Sequence, residues 1–199
     1  MSNLFDAESA GDPIALFGEW FRVASESEPN DPNAMSLATA TAGGRPSVRM
    51  VLLKRVDEAG FAFYTNTESR KGTELLANPQ AALCFHWKSV RRQVRVEGTV
   101  AELSGDDADA YFHSRSHRSQ IGALASQQSR ALGSREELEL LAHALEERYP
   151  GEVPRPEYWR GFVVRPESIE FWQDGPHRLH DRIVFVRGAA GWTKSRLYP

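Results

Sequence analysis

A short basic segment is the first place where this sequence could bind an anion. Ser69, Arg70, Lys71 and Gly72 follow one another at the start of a helix predicted over residues 69–77. Cations at a helix N-terminus are repelled by the helix dipole, whereas a phosphate is attracted by the dipole and by the free N–H groups. The segment therefore indicates an anion ligand more than an ordinary basic helix start, and Gly72 would let that ligand approach the backbone closely.

Two cations lie in an otherwise apolar stretch that is predicted to be a strand. Arg49 is inside this stretch, residues 48–53, and Lys54 follows it directly. Because side chains alternate across a strand, the two charges are expected to face opposite sides, each among apolar neighbours. Burial without a partner would cost free energy. The alternative, which the spacing alone favours, is that both side chains lie near strand ends and extend to water.

A third set of polar side chains repeats every four residues. Tyr111, Arg115 and Ser119 would share one face if the segment is helical, and together they could bind a second phosphate. The alternative is a solvated polar stripe. His113 and His117 have a spacing that suits a metal, but no carboxylate or cysteine completes a ligand set, so no metal site is predicted.

Residues 171–182 carry the most specific pattern. The aromatic pair Phe171 and Trp172 precedes a turn, and Arg178, His180 and Arg182 then occupy alternate positions. In an extended chain these three side chains would project to one side. Their charges would repel one another unless an anionic or electron-rich ligand lay between them. The alternative is a surface strand whose cations pair with acids elsewhere.

The composition excludes several classes of protein. With 41% hydrophobic and 26% charged residues among 199, a folded globular chain of one domain, residues 1–199, is expected. The net charge of −3 and the small size of the basic cluster Arg91, Arg92 and Arg95 argue against nucleic acid. The lone Cys84 fits a reducing, cytoplasmic location. We predict no signal peptide, and no membrane association because no apolar run nears the ~20 residues of a membrane span.

The positions of apolar, turn and capping residues predict a mainly β fold with added helices, of the α+β class. Residues 1–11 are expected to be unstructured, and Asp12 followed by Pro13 is typical of a helix start. A capping box begins at Ser134. Gly98 indicates a bulge in a long strand. The predicted strands span residues 35–42, 47–56, 61–65, 81–87, 93–103, 159–165, 168–172, 182–186 and 192–197. Their spacing is typical of an antiparallel barrel or sandwich.

Five short segments, taken in their order along the chain, resemble the pyridoxamine 5′-phosphate oxidase family. The segments are residues 49–54, 63–66, 111–115, 128–129 and 178–182, and the resemblance covers nearly the whole chain. It implies an FMN-binding split β-barrel that forms a homodimer with FMN at the subunit interface. It also implies that residues 171–199 form a C-terminal segment for dimerisation and for the active site.

The resemblance assigns roles to individual residues. It places the FMN phosphate at Arg49, Arg70 and Lys71, and further cofactor contacts at Met50, Val51, Leu52, Lys54, Tyr64, Thr65, Gln93, Gln128, Ser129, Trp172 and Arg182. It places the substrate phosphate at Lys54, Tyr111, Arg115 and Ser119, and the catalytic residues Arg178 and His180 over the substrate ring. The implied reaction oxidises the 4′ carbon of pyridoxine or pyridoxamine 5′-phosphate to pyridoxal 5′-phosphate, while dioxygen becomes hydrogen peroxide.

Two features of the sequence depart from the family pattern. The chain begins close to Asp12, so we expect no equivalent of the N-terminal arm that closes over the substrate in many members. Asp31 matches the family and is expected to face the site, and Ser116 stands where proline is expected. Two alternatives stay open: a related flavin oxidase of the phenazine-biosynthesis type, and a non-catalytic FMN or pyridoxal-phosphate binding protein. Arg178 and His180 argue against the second.

Overall fold

The computed structural model describes residues 6–199. Residues 1–5, part of the segment expected to be unstructured, lie outside the described residues. Within the rest of that segment the structure instead has a short 3-10 helix, Asp6–Glu8, and Ala7 has no exposed surface. Two side chains near the C-terminus bind this segment. Lys194 donates to the carbonyls of Glu8 and Ala10, and Arg196 forms an ion pair with Glu8 at 3.0 Å.

The helices begin where the capping residues predict. Asp12 accepts a hydrogen bond from the Ile14 N–H and so caps the first helix, and Ser69, Ser104 and Ser134 cap later helices in the same way. The five helices found among residues 6–199 are α1 (Pro13–Ser27), α2 (Arg70–Ala77), α3 (Gly105–Ser114), α4 (His117–Ala125) and α5 (Arg135–Arg148).

The strands found in the same part of the chain form one antiparallel sheet. They are β1 (Ala34–Ala40), β2 (Pro46–Leu52), β3 (Arg55–Asp57), β4 (Gly60–Asn66), β5 (Gln80–Trp87), β6 (Arg92–Glu102), β7 (Trp159–Gln173), β8 (Asp181–Gly188) and β9 (Gly191–Arg196). The order across the sheet is β2-β1-β5-β6-β7-β4-β3, and β8 and β9 extend it from β7. The first half of β7 pairs with β4 and its second half with β8, while β6 runs beside both halves, so the sheet curls.

Aromatic side chains fill the inner face of this curled sheet. The ring of Phe17 on α1 lies 4.8 Å from that of Phe61 and 5.0 Å from that of Phe85, measured between centroids. A second, smaller cluster contains Phe112, Ile121 and Trp159. That cluster attaches α3 and α4 to the start of β7 and thereby places them opposite β2 and β4.

Two strand predictions were wrong. The segment predicted as one strand over residues 47–56 is two strands, because the N–H of Leu53 bonds to Asn33 and that of Lys54 bonds to Ala62. The two strands predicted at 159–165 and 168–172 are one, β7, which continues through Pro166. Proline can continue there because the register shifts opposite it, between Glu97 and Gly98, as the predicted bulge requires.

The bulge also requires a residue without a side chain. A Cβ atom built on Gly98 would lie 2.0 Å from the carbonyl oxygen of Arg165. No helix among residues 6–199 has both the length and the apolar character needed to cross a membrane.

Candidate active site

A cavity of about 750 Å³ opens where β2 and β4 face α3 and α4. The sequence-predicted residues that line it are Met50, Val51, Leu52, Lys54, Tyr64, Thr65, Lys71, Tyr111, Arg115, Ser119 and Gln128. The structure therefore brings residues from both predicted phosphate sites into one cavity. The cavity is large enough for a cofactor and a small substrate to lie side by side.

The other predicted residues do not line this cavity. Arg49, Arg70 and Ser129 lie next to its end at α2: the backbone N–H of Arg70 donates to the Ser129 hydroxyl at 3.2 Å. Gln93, Trp172 and Arg182 form a row across β6, β7 and β8 instead, because Trp172 pairs with Gln93 on one side and with Arg182 on the other. Within one subunit, the predicted site residues thus form two separate groups.

Lys71 is a buried cation at the end of the cavity. Only 8% of the residue is exposed, and its ammonium donates to Thr65 Oγ1 at 3.1 Å, Ser69 Oγ at 3.2 Å and Gln128 Oε1 at 2.7 Å. No carboxylate among residues 6–199 forms a salt bridge with it. Burial, and then repulsion from Arg49, lower the pKa of Lys71 to about 8. A cation held in this way by neutral acceptors favours an anionic ligand.

This pKa predicts how the stability of the ligand-free protein depends on pH. Between about pH 8 and the ordinary lysine value of 10.5, the unfolded chain binds a proton at Lys71 that the folded chain does not. The free energy of unfolding should therefore rise through this window, by up to about 3 kcal/mol. Urea unfolding at both ends of the window should show the rise in wild type and in Lys88→Met, which alters an exposed lysine, but not in Lys71→Met. An equal rise in Lys71→Met would contradict the assignment.

Arg49 does not extend to water, so the alternative that the spacing favoured is wrong for this residue. Its side chain is 19% exposed, and the guanidinium donates to the Leu37 carbonyl at 3.0 Å, to Thr39 Oγ1 at 2.7 Å and to Ser47 Oγ at 2.5 Å. Burial lowers the pKa of Arg49. Lys54 is exposed after the break between β2 and β3, as that alternative predicts.

Glu74 is a site residue that the sequence did not reveal. Its side chain is 5% exposed, and it accepts hydrogen bonds from Thr39, from Ser47 at 2.5 Å and from Arg70 Nε at 3.0 Å, while Arg49 lies 3.4 Å away. Burial alone would raise the pKa of Glu74, but the hydrogen bonds from Ser47, Thr39 and Arg70 outweigh burial and lower the pKa to about 2. The only sequence signal was its position four residues after Arg70.

The second predicted phosphate site is assembled differently from the prediction. Tyr111, Arg115 and Ser119 do not lie on one helix, because α3 ends at Ser114 and Arg115 is extended. Ser116, which stands in place of the expected proline, caps α4 by accepting from the Ser119 N–H. All of these side chains still line the cavity, and the Lys54 ammonium lies 5.6 Å from the centre of the Tyr111 ring.

Arg115 supplies an unsatisfied donor in this second site. Its guanidinium lies 5.2 Å from the centre of the Trp159 ring, and its buried Nη1 atom has no hydrogen-bond partner among residues 6–199. Burial lowers the pKa of Arg115. A buried donor without a partner is costly, so the position favours a ligand that accepts a hydrogen bond.

Three stacked aromatic rings form part of the cavity wall. The Tyr64 ring stacks on Tyr111 at 4.3 Å and on Trp159 at 5.2 Å, and the Tyr64 hydroxyl donates to the Asp107 carbonyl at 3.4 Å. Burial raises the pKa of Tyr64. The predicted hydroxyl of Tyr64 thus already has a protein acceptor, and its ring is the part that shapes the cavity.

His113 and His117 serve the packing of the helices. The two ring nitrogens of His113 lie 2.9 Å from the carbonyl oxygen of Asp109 and 3.2 Å from that of Val153, and His117 Nε2 lies 2.7 Å from that of Tyr149. In the described chain no group of three or more potential metal ligands comes together.

The prediction that Arg178, His180 and Arg182 share one face was wrong. Residues Pro176–Arg178 form a 3-10 turn in which His177 and Arg178 have positive φ values of 55° and 65°, so the chain is not extended there. Only Arg182 lies in β8. Arg178 makes no hydrogen bond or ion pair with any residue from 6 to 199.

The alternative for this segment, pairing with acids elsewhere, is what the structure shows for two of the three side chains. Arg182 binds both carboxylate oxygens of Glu170, at 2.8 Å and 3.0 Å, and His180 Nδ1 lies 2.9 Å from Asp174 Oδ1. The His180 ring lies 4.7 Å from that of Trp172. The sequence did not reveal either acid, because each pairing depends on the fold.

Two family models together match most of the chain. One is described as pyridoxamine 5′-phosphate oxidase and matches residues 24–149, and the other is described as the pyridoxine 5′-phosphate oxidase C-terminal dimerisation region and matches residues 159–199. Curated relatives named pyridoxine/pyridoxamine 5′-phosphate oxidase match at full length. The protein of Gluconobacter oxydans is 60% identical over 200 residues and that of Rhodospirillum rubrum 62% over 205, with 100% of each chain covered.

Solved structures confirm the predicted fold class. PhzG from Burkholderia lata, determined in complex with tetrahydrophenazine-1-carboxylic acid, superposes with a TM-score of 0.94 at 31% identity, covering 100% of this chain and 99% of PhzG. An FMN-binding protein from Nostoc punctiforme, related to pyridoxamine 5′-phosphate oxidase, has a TM-score of 0.77 at 15% identity, covering 96% of this chain and 100% of that protein.

Proposed function

The chain belongs to the pyridoxine/pyridoxamine 5′-phosphate oxidase family, and from that premise we propose how its residues perform the reaction. The protein oxidises pyridoxine 5′-phosphate or pyridoxamine 5′-phosphate to pyridoxal 5′-phosphate. The observation that supports a specific mechanism is the pair of anion sites in one cavity, each containing a buried cationic group that pairs with no carboxylate among residues 6–199.

The first anion site holds the phosphate of FMN. Arg49, Arg70 and Lys71 carry three positive charges, and Glu74 compensates one of them, which leaves two for a phosphate group near its dianionic form. Glu74 also binds Arg70 and lies within 3.4 Å of Arg49, so both guanidinium groups are fixed before the ligand arrives. When bound, FMN supplies the hydride acceptor of the reaction, and dioxygen reoxidises it with formation of hydrogen peroxide.

The second anion site holds the phosphate of the substrate. Lys54 and Arg115 supply charge, Tyr111 and Ser119 supply hydroxyl groups, and the unsatisfied Nη1 atom of Arg115 gains an acceptor there. Binding of the phosphate fixes the position of the substrate ring, and this positioning lowers the entropic part of the barrier to reaction. Arg178 and His180 orient the ring from the other side.

In one subunit the predicted site residues form two separate groups, and a homodimer would bring one group from each subunit together. Val48 and Met50 on β2 are 66% and 61% exposed, and their neighbours on β1 are the small residues Ala38 and Ser36. This exposed apolar face and the match to a dimerisation region support a homodimer. In that dimer Gln93, Trp172 and the C-terminal residues of one subunit reach the cavity of the other.

The dimer can be tested at a residue outside the cavity. Val48→Glu places an unpaired carboxylate in the proposed interface, and we expect the dimer dissociation constant to rise at least about tenfold because burying such a charge is costly. Leu140→Glu on α5 is a matched control, since Leu140 is 70% exposed. Sedimentation equilibrium should show dissociation for Val48→Glu alone. Unchanged dimers in both variants would place the interface elsewhere.

The function is tested by its cofactor and product. The purified protein should be yellow, should release FMN on denaturation, and should form hydrogen peroxide and pyridoxal 5′-phosphate from either phosphorylated substrate. A protein that binds FMN and forms neither product would be a carrier, and one that binds no FMN at all would contradict the proposal.

A phenazine-type oxidase is the second candidate because the structure superposes so well on PhzG. Lys54, Tyr111 and Arg115 favour the phosphorylated substrate, since the two cations and the hydroxyl group would together bind its phosphate. Turnover of pyridoxine 5′-phosphate compared with that of a non-phosphorylated ring separates the two candidates.

A further inference from the structure

The end of α3 needs hydrogen-bond donors from outside the regular helix. The last carbonyl groups of any α-helix have no partner within it. In α3 the Ser114 hydroxyl donates to the Tyr111 carbonyl at 2.8 Å, and the Arg115 N–H donates to that of Phe112 at 3.2 Å. The carbonyls of His113 and of Arg115 itself accept from a side chain on the next helix, α4.

The donor to these two carbonyls is the side-chain amide of Gln120. Its nitrogen lies 2.8 Å from the Arg115 carbonyl oxygen and 3.4 Å from that of His113. Both neighbours can only accept, so the N–H₂ end of the amide, which carries two hydrogens, faces them. Only 8% of Gln120 is exposed. This buried amide therefore ties the start of α4 back to the end of α3.

Arg115 is held on both sides of this junction. Its backbone N–H donates to Phe112 and its carbonyl accepts from Gln120, so both of its backbone polar groups are bonded. The N–H of Gln120 also donates to the Ser116 carbonyl at 3.0 Å, which anchors Gln120 itself in α4. These bonds fix Arg115 in an extended conformation between the two helices, with φ −78° and ψ 156°.

The backbone conformation of Arg115 determines where its guanidinium points. The guanidinium lies 5.8 Å from the centre of the Phe112 ring and 5.2 Å from that of the Trp159 ring, with Nη1 buried. A helical Arg115 would project elsewhere, because side-chain direction follows the backbone dihedral angles. Gln120 is thus linked through one backbone carbonyl to the donor that faces the second anion site, although Gln120 does not itself line the cavity.

We propose that Gln120 is a positioning residue for Arg115, whose extended conformation it fixes so that the guanidinium is preorganised for the substrate phosphate. A preorganised group binds more tightly because its conformational freedom is lost on folding and not on binding. The inference rests on the proposed function, in which Arg115 binds that phosphate. It deepens that function because it assigns part of the preference for a phosphorylated substrate to a residue outside the cavity.

Gln120→Met tests the proposal because it removes the donor and keeps the length of the side chain. We expect the KM for pyridoxine 5′-phosphate to rise about tenfold, since even a small displacement of a binding group weakens its contact. The kcat should stay within about threefold of wild type, because the lost contact serves binding. Gln120→Glu, which keeps the shape but turns an acceptor toward the two carbonyls, should raise KM at least as much.

Tyr158→Phe is the matched control. The Tyr158 hydroxyl donates to the carbonyls of Ala123 and Leu124, at 3.2 Å and 3.3 Å, and these lie at the other end of α4 from the Arg115 junction. The substitution therefore also removes a side-chain donor from helix-end carbonyls. The KM of Tyr158→Phe should stay within about twofold of wild type, because its hydrogen bonds do not involve Arg115.

A double variant separates positioning of Arg115 from a general structural role. If Gln120 acts through Arg115, its amide has no further effect once the guanidinium is gone. The KM of Gln120→Met combined with Arg115→Met should then be within about twofold of that of Arg115→Met alone, whereas independent effects would multiply. Steady-state kinetics of the FMN-loaded wild type, single variants and double variant give all of these values.

Three results would overturn the proposal. They are an unchanged KM in both Gln120 variants, a further rise of about tenfold in the double variant, and an equal rise in Tyr158→Phe. Failure of the proposed function gives a different pattern, in which wild type does not oxidise the phosphorylated substrate or Arg115→Met itself leaves KM unchanged. That pattern overturns both, whereas a raised KM in Arg115→Met with an unchanged KM in the Gln120 variants overturns the role of Gln120 alone.

Discussion

Arg115→Met is expected to raise the KM for pyridoxine 5′-phosphate by about 100-fold, because truncating one partner of a buried charge pair costs about 2–5 kcal/mol. The guanidinium lies against Trp159, and its Nη1 atom is buried without a protein acceptor. The substrate phosphate is the acceptor that we propose for it. The dissociation constant for FMN should stay within about twofold, because Arg115 belongs to the second anion site only.

Arg118→Met is the matched control for this prediction. Arg118 is three residues away and 89% exposed, and its ion pair with Glu146 is 3.7 Å long. Such an exposed pair contributes little. Steady-state kinetics and FMN titration of both variants check the prediction. Equal KM values for Arg115→Met and wild type would show that the substrate phosphate binds elsewhere, and a parallel loss of FMN would show that the two anion sites are not separate.

Lys71→Met is expected to weaken FMN binding by about 100-fold, for the same reason of a lost buried charge contact. The effect should be specific to the phosphate. Riboflavin, which lacks that group, should bind the variant about as well as it binds wild type. Titration of the apoprotein with both flavins gives the ratio of the affinity for FMN to that for riboflavin. This ratio should fall by about 100-fold in Lys71→Met.

The control for Lys71 is again Lys88→Met, which should keep the preference for FMN over riboflavin. If Lys71→Met lost both flavins equally, the lysine would support the shape of the cavity and not bind the phosphate. The substitution that removes cofactor binding should also remove the cost of burying a cation in the ligand-free protein.

The local elements of the fold could be predicted because their signals are local. Asp12 and Ser134 cap helices as predicted, since a capping oxygen needs only the N–H groups that follow it. Gly98 marks the bulge because a side chain there would meet the opposite strand. These features depend on a few neighbouring residues.

The break between β2 and β3 and the break between α3 and α4 were not predicted, because the residue patterns continue through both. The N–H of Lys54 leaves the strand pattern to reach Ala62, and Arg115 is extended between two helices that each have their own cap. The turn Pro176–Arg178 uses positive φ values at residues that rarely adopt them. At the third place a turn was predicted after Trp172, but it was not expected to include Arg178.

The candidate site was predicted as a set of cations, and the acids that position them were missed. Arg49 and Arg70 meet Glu74, Arg182 meets Glu170, and His180 meets Asp174. All but the Arg70 pair join residues more than five positions apart or on different elements. Cations stand out in an apolar or helix-start context, whereas a buried acid looks like any other surface carboxylate until the fold is known.

The central claim is that one cavity holds a flavin nucleotide and a phosphorylated pyridine at separate anion sites. Anaerobic mixing of the FMN-loaded protein with pyridoxine 5′-phosphate tests it most directly, with visible flavin absorbance as the signal. We predict complete loss of that absorbance with pyridoxine 5′-phosphate and none, over the same time, with an equal concentration of pyridoxine. Unchanged absorbance with the phosphate ester, or equal rates with both compounds, would contradict the claim.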